Sequence, residues 1–371
     1  MTDTPLSAKL KAQIRRNGPI SVDTYMSACL HDPEHGYYRR QPAIGAGGDF
    51  VTAPEISQAF GELIGLWAAV VWQQMGAPER LHLVELGPGR GTLMRDALRA
   101  ARVMPRFRAA LAVHLVDSNR TLRKAQADTL SDAGVPLQFH DEAAALADRA
   151  RVPAGPAIVV ANEFLDALPV AQFAYADGGW RRRKVALGDP PEETFRFVPD
   201  LETDMLPAAL PTNREPREGD IFEVCEEHGR HAKEILGARA RLGPLAALFI
   251  DYGHAATGFG DTLQGVAGQA HVSPFHAPGE TDLSAQVDFQ HFGQECRGTG
   301  LAVDGPLSQA ELLGRLGIIE RASRLMAANP ARAAEIEAGV ARLIAPNGMG
   351  SRFLALGVRS QDMGPLPGFE S

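Results

Sequence analysis

Cysteine is scarce: Cys29, Cys225 and Cys296 are the only three in a chain of 371 residues. They are far apart and odd in number. That excludes a disulfide framework and any zinc-ligand spacing, and it fits a reducing compartment. Positive charge is not in excess either, since 37 Lys and Arg stand against 45 Asp and Glu, for a net charge of −8. A broad nucleic-acid footprint needs a basic surface, so that class is set aside; a basic substrate suits an acidic chain. Apolar runs are short, and none approaches the ~18 residues of a membrane span, so no membrane insertion is expected. The N-terminal MTDTPLSAKLKAQIRRNG lacks an apolar h-region and is no secretory signal. Its basic Lys9–Arg16 stretch faintly mimics a transit peptide, but Asp3 and its shortness argue otherwise. With a start at Met1, the expected location is the bacterial cytoplasm, or the mitochondrial matrix were the source eukaryotic. His31, His35, His271 and His276 show no metal-ligand spacing, and no metal is expected.

What is present is an ordinary globular balance, 45% hydrophobic and 22% charged, on a chain long enough for a large core with additions. Two short helices are predicted over 5–17 and 20–30, split by Gly18-Pro19, with Ser21 as a cap. A glycine-rich loop spans 44–57, and a helical pattern runs over 56–75 with Phe60, Leu63, Ile64, Trp67 and Val71 on one side. Trp67 and Trp72 read as core or interface. Strands are then predicted at 81–86, 111–117, 135–139, 156–161 and 245–251, alternating with helices as in a parallel sheet. Each strand ends in a polar or acidic residue at the edge where such sheets bind ligands. Residues 171–230 break the pattern with Pro, Gly, charge and short apolar alternations. The reading is an α/β, doubly wound core over 61–170 and 243–371. An N-terminal helical cap with a lid loop covers 1–60, and a β-rich subdomain is inserted at 171–242. Helices at 308–316 and near 330–344, a last edge strand at 352–358 and a loose final dozen residues complete it.

The chemistry concentrates in LHLVELGPGRGTLMRDALRA, residues 81–100. A strand carrying Glu85 meets Gly87, Gly89 and Gly91, and a helix begins at Thr92. Glycines let backbone N–H groups reach a ligand, and the helix N-terminus favours an anion. The dinucleotide fingerprint would need its third glycine at Thr92; here it is Gly91. That spacing favours S-adenosylmethionine over NAD, its carboxylate on the loop and its ammonium on Glu85. Asp117, ending the second strand, suits the ribose hydroxyls, or else serves as a helix-start acid. Asp141, after the third strand, is either an adenine-side contact or a solvated helix-start acid.

Asn162-Glu163-Phe164-Leu165-Asp166 leaves a buried strand directly. Glu163 and Asp166 stand three apart, so one turn brings them to one face, where two carboxylates can grip a planar guanidinium. The bland alternative is a capped helix start. Gly47–Glu55 taken alone reads more readily as a long connection than as a lid; as a lid closing over the cofactor, it would offer Asp49 and Glu55 as contacts. In PGETDLSAQVDF, 278–289, a surface loop with a helix cap is preferred to a cleft role for Asp282 and Asp288.

Together, GPISVDTYMSACLHDPEHGYY (18–38), GGDFVTAPEISQAFGE (47–62), VELGPGRGTLMRDALR (84–99), ANEFLDALPV (161–170), DYG (251–253), PGETDLSAQVDF (278–289) and MGSRFLAL (349–356) closely resemble the MidA-type methyltransferase family. Its mitochondrial members assist assembly of respiratory complex I. The resemblance covers the chain in order. It implies a class I methyltransferase fold, S-adenosyl-L-methionine as cofactor and a protein substrate, an arginine of a complex I core subunit. Asn162, Glu163 and Asp166 would act on that arginine. Asp117 stands where the family more often has Glu, Leu165 where Phe is common and Ser284 where Thr is common. Asp117 keeps the carboxylate. The competing class is an assembly chaperone that binds the cofactor without chemistry; a nicotinamide dehydrogenase is the other, disfavoured by the glycine spacing.

Overall fold

The computed structural model describes residues 3–39, 52–200, 210–211 and 214–370. Seven strands form the main path of its central sheet: β1 (Leu81–Leu86), β2 (Leu111–Val116), β3 (Leu137–His140), β4 (Ala157–Asn162), β5 (Leu245–His254), β6 (Ala302–Ser308) and β7 (Phe353–Arg359); an eighth, Val287–Asp288, pairs beside the end of β5. Their order is β6-β7-β5-β4-β1-β2-β3. The run from β5 to β3 is parallel, whereas β7 is antiparallel to both β5 and β6. Helices cover both faces, so the central strands are apolar almost throughout rather than alternating. In β5, Ala246, Leu248 and Ile250 join Phe60, Leu63 and Trp67 on one side. Leu245, Ala247 and Phe249 join Phe289 and Phe292 on the other. This is the doubly wound α/β core expected.

The strand order reverses between β1 and β4, whose successors β2 and β5 lie on opposite sides. Loops leaving the carboxyl ends of strands at such a reversal splay apart and leave a crevice. The glycine turn after β1 and the Glu163–Leu168 turn after β4 are the two walls of that crevice.

The flanking parts are knitted together. Helix Pro5–Asn17 is capped by Thr4 and helix Val22–His31 follows Ser21. The Ser21 hydroxyl meets the Thr24 hydroxyl at 2.8 Å rather than a helix amide. Ile20–Ser21 pairs with Val185 and Lys184, joining the antiparallel strands Ala171–Ala176, Gly179–Leu187, Phe195–Pro199 and Ile221–Val224 in one sheet. Leu6, Leu10, Tyr25 and Met26 share a core with Val185, Phe195 and Phe275. A helical stretch, Glu226–Ala240, carries the chain back, its wide turns at His231–Gly237 packing Ala232, Ile235 and Leu236 against Phe289 and Phe292.

Three expectations at the C-terminal end are corrected. The strand near 352–358 is not the edge, because β6 lies outside it. Gly305-Pro306 interrupts β6, whose register shifts between Asp304 and Leu307, so its sequence lacks the strand alternation. A helix at Ile318–Ala328 precedes the one at Ala333–Ile344. The tail is not loose: Leu366 is fully buried, its amide bonds Asp304, and Trp67 Nε1 donates to the Pro367 carbonyl at 3.2 Å. Composition suggested freedom, but these docked carbonyl and amide groups hold the segment. Trp67 and Trp72 are core residues.

Candidate active site

A cavity of about 350 Å³ opens over the reversal point. That volume is in the usual range for a small-molecule site. Gly87, Gly89, Asp117, Asp141 and Glu163, all singled out from the sequence, line it. Glu85, Gly91, Asn162 and Asp166 are not among the residues that line it. Asp49 lies outside the described residues.

The floor is the glycine turn. Gly87, Gly89 and Gly91 have φ of +63°, +53° and +83°. At Gly87 a side chain would be strained by that φ, and its Cβ would come 3.0 Å from Phe164 Cδ2 across the crevice. Gly87 N donates to Val116 O at 3.0 Å, which ties β1 to β2 at the lip. Helix Thr92–Ala100 starts at Gly91 and aims its N-terminus into the turn. The Glu85 carboxyl is buried beneath, between Leu115 and Val160 in register. Burial, with Asp117 nearby, pushes its pKa up to about 8, although a Met94 N–H bond pulls the other way. Its Oε2 has no partner among the described residues. A buried acceptor of this kind calls for a donor, and the cofactor's ammonium is one.

Asp117 is held by two donors, Asn119 N at 2.8 Å on Oδ1 and Gln126 Nε2 at 2.9 Å on Oδ2. Gln126 also donates to the Gly89 carbonyl at 2.9 Å, so one amide couples the acid to the glycine turn. Burial raises Asp117 to about 6. Asp141 is exposed at the rim, 3.8 Å from Arg151. Glu55 accepts the Thr92 hydroxyl at 2.5 Å, touching the helix start rather than the cavity. The carboxylates, the orphaned oxygen and the glycine cradle thus fit an S-adenosyl group.

The opposite wall is the turn after β4. Glu163 has φ +52°, rare for a residue with a side chain. Its Oε1 accepts Ala53 N at 3.0 Å and Asn162 Nδ2 at 3.1 Å. Burial and neighbouring Asp166 raise it to about 7. Asp166 turns away from the cavity and takes the Tyr252 hydroxyl, and burial raises it to about 6. The pair therefore does not share one face of the cavity. Asn162 Oδ1 and Asp166 Oδ1 have no partner among the described residues.

Several lining residues were not picked out from the sequence as part of this site. Tyr38 and His31, with ring centroids 5.6 Å apart, come from the cap. Arg230, His231, Glu234 and Ile235 come from the returning helical stretch. The apolar spacing of Ala232, Ile235 and Leu236 was the available signal for that helix; nothing local showed which strand it would cover. Among the described residues no cluster of three or more His, Cys, Asp or Glu is arranged to hold a metal. No helix among them is long and apolar enough to cross a membrane.

An open sheet of this order, with a glycine turn and a following acid over its reversal point, is the architecture of class I methyltransferases. The chain belongs to a family of that class: residues 63–307 match the family described as "Putative S-adenosyl-L-methionine-dependent methyltransferase". The mitochondrial protein arginine methyltransferase NDUFAF7 of Mus musculus is 36% identical over 368 residues, spanning 94% of this chain and 83% of that protein. Its Homo sapiens counterpart is 34% identical over 371 residues, spanning 94% and 82%. A crystal structure from Burkholderia thailandensis, bound to S-adenosyl-homocysteine, has a TM-score of 0.84 at 26% identity, over 98% of this chain and 94% of that one. The cofactor is S-adenosyl-L-methionine.

Proposed function

We propose that the chain is a protein arginine N-methyltransferase whose client is a core subunit of respiratory complex I during assembly. Two things support the substrate class: similarity to proteins named as arginine methyltransferases, and Glu163 at the cavity wall. Residues 1–60 and 171–242 are the parts that would receive the client. The compartment that goes with this reading is the bacterial cytoplasm, or the mitochondrial matrix in a eukaryote.

Glu163 is the observation that carries the proposal. The bound cofactor supplies an electrophilic methyl group on its sulfonium. A guanidinium, with a pKa above about 12, is a poor nucleophile until a base or an anion draws on its protons. Glu163 has one oxygen fixed by two N–H donors; its other oxygen makes no hydrogen bond among the described residues and would take a guanidinium N–H. With a pKa of about 7, it holds charge on the bound guanidinium and can accept the proton released, since a base poised near the working pH is the most effective. Asn162 orients Glu163. Asp166 adds negative charge behind it.

The test follows methyl transfer from labelled S-adenosylmethionine to complex I core subunits in Glu163→Gln and wild-type protein. Turnover is expected to fall roughly 10²–10⁴-fold, with cofactor affinity unchanged. Wild-type turnover by Glu163→Gln would remove the residue from the mechanism. Labelling of residues other than arginine would overturn the substrate class.

A further inference from the structure

The mechanism so far makes no use of Asp251. It lies in β5, is 1% exposed, and has no ion pair among the described residues. Its Oδ2 accepts three consecutive amides of the turn after β4: Phe164 N at 3.0 Å, Leu165 N at 2.9 Å and Asp166 N at 3.2 Å. Its Oδ1 accepts Tyr252 N at 2.9 Å. The preceding residue joins in, since Glu163 N donates to Ile250 O at 2.9 Å. Leu168 N closes the turn on Leu165 O at 3.2 Å.

A non-glycine residue at φ +52° persists only where its surroundings over-determine it. Here the over-determination is visible. Side chain and backbone of one strand seize four successive amides, 163 to 166, from the neighbouring strand's exit turn. We infer that Asp251 is a positioning residue for the methyl-transfer site: its buried carboxylate clamps the 163–166 amides and so presents Glu163 to the cavity. The inference rests on the role proposed for Glu163, but the clamp is a separate claim with its own readout.

The same carboxylate has an electrostatic consequence. Half-buried Glu163 and Asp166 and fully buried Asp251 form one carboxyl cluster. The groups facing it are the Tyr252 and Tyr38 hydroxyls, Asp282 beyond Tyr38, and Arg342 on the far side of Glu163. Burial raises the Glu163 carboxyl above its ordinary value, and the clamp holds it at that place, so releasing the turn must ease Glu163 ionisation. A purely structural residue would leave the Glu163 titration where it is.

The experiment is a carboxyl ¹³C titration of the full-length, glutamate-labelled protein, with Glu163→Gln to assign the signal. Asp251→Ala removes the acceptor that gathers the three amides. The Glu163 midpoint is expected to fall from about 7 to about 6. An unchanged midpoint in a folded Asp251→Ala protein overturns the inference. Should that variant not fold, the wild type decides by hydrogen exchange. The amides of Phe164, Leu165 and Asp166 must be protected as slowly exchanging groups, and exchange at the rate of an open loop overturns the clamp. Neither readout needs the client. Failure of the arginine reading, seen in Glu163→Gln turnover, is thereby distinguishable from failure of this one.

Discussion

The two walls of the cavity are built in different ways. The cofactor wall comes from one continuous stretch, Glu85 to Thr92, with Asp117 and Gln126 from the next strand and helix. Its parts are neighbours in sequence, and their roles follow from backbone conformation. The other wall is assembled from Tyr38 and His31 of the cap, Glu163 and Phe164 after β4, and Arg230, His231 and Glu234 of the returning helix. Behind it stands Asp251, more than eighty residues from the turn it holds. A contiguous wall has its shape fixed by local backbone conformation. A wall pieced together from separate elements can change one element at a time.

The sharpest way to break that comparison is at Gly87. Gly87→Val places a branched side chain at φ +63°, 3.0 Å from Phe164 at its Cβ. Strain of about 1–3 kcal/mol, added to the blocked approach of the ligand, should weaken cofactor binding roughly a hundredfold by calorimetry. Retained affinity would show that the turn adapts and the cofactor wall is not rigid. Next is Asp117→Ala. Losing a charged acceptor for hydroxyl donors costs about 1.5–3 kcal/mol, so affinity should drop roughly ten- to hundredfold. Glu163 should titrate as before in that variant; a shifted Glu163 midpoint would mean that the two walls are electrostatically one.

The smallest effect is a proton. Glu85 is raised from its ordinary value to about 8. Between the ordinary carboxylate range and pH 8 the folded state keeps a proton that the unfolded chain has lost. Stability of the unliganded protein therefore declines as pH rises through that window. An ammonium bound beside Glu85 reverses the preference, so S-adenosylmethionine binding at pH 7 should release up to about one proton. Calorimetry in buffers of different ionisation enthalpy reads this directly. Buffer-independent heats would remove Glu85 as the ammonium partner.

Legibility followed chain distance. Gly87, Gly89 and Asp117 were readable because a strand, a tight turn and a helix start impose their own residue types. Glu163 was readable because a polar cluster on the end of a buried strand has to emerge at the sheet edge. The shared face for Glu163 and Asp166 was a local expectation that a neighbouring strand overruled. Asp251 accepts the amides of Phe164, Leu165 and Asp166 and Tyr252 donates its hydroxyl to the Asp166 carboxyl, so the turn is wound to the needs of β5. The docked tail failed for the same reason. Its partners, Trp67, Asp304 and Arg315, come from three other elements.

By itself the sequence determined the α/β class, the strand-turn-helix proposed to cradle the cofactor, and the acids at the strand ends. These follow from periodicity, glycine's access to positive φ and the short reach of a turn. Only the tertiary structure decided which carboxylate faces the cavity, which is buried behind it and which holds the turn. Those choices depend on hydrogen bonds between strands that are adjacent in space and remote in the chain. Burial there also sets how tightly each acid holds its proton.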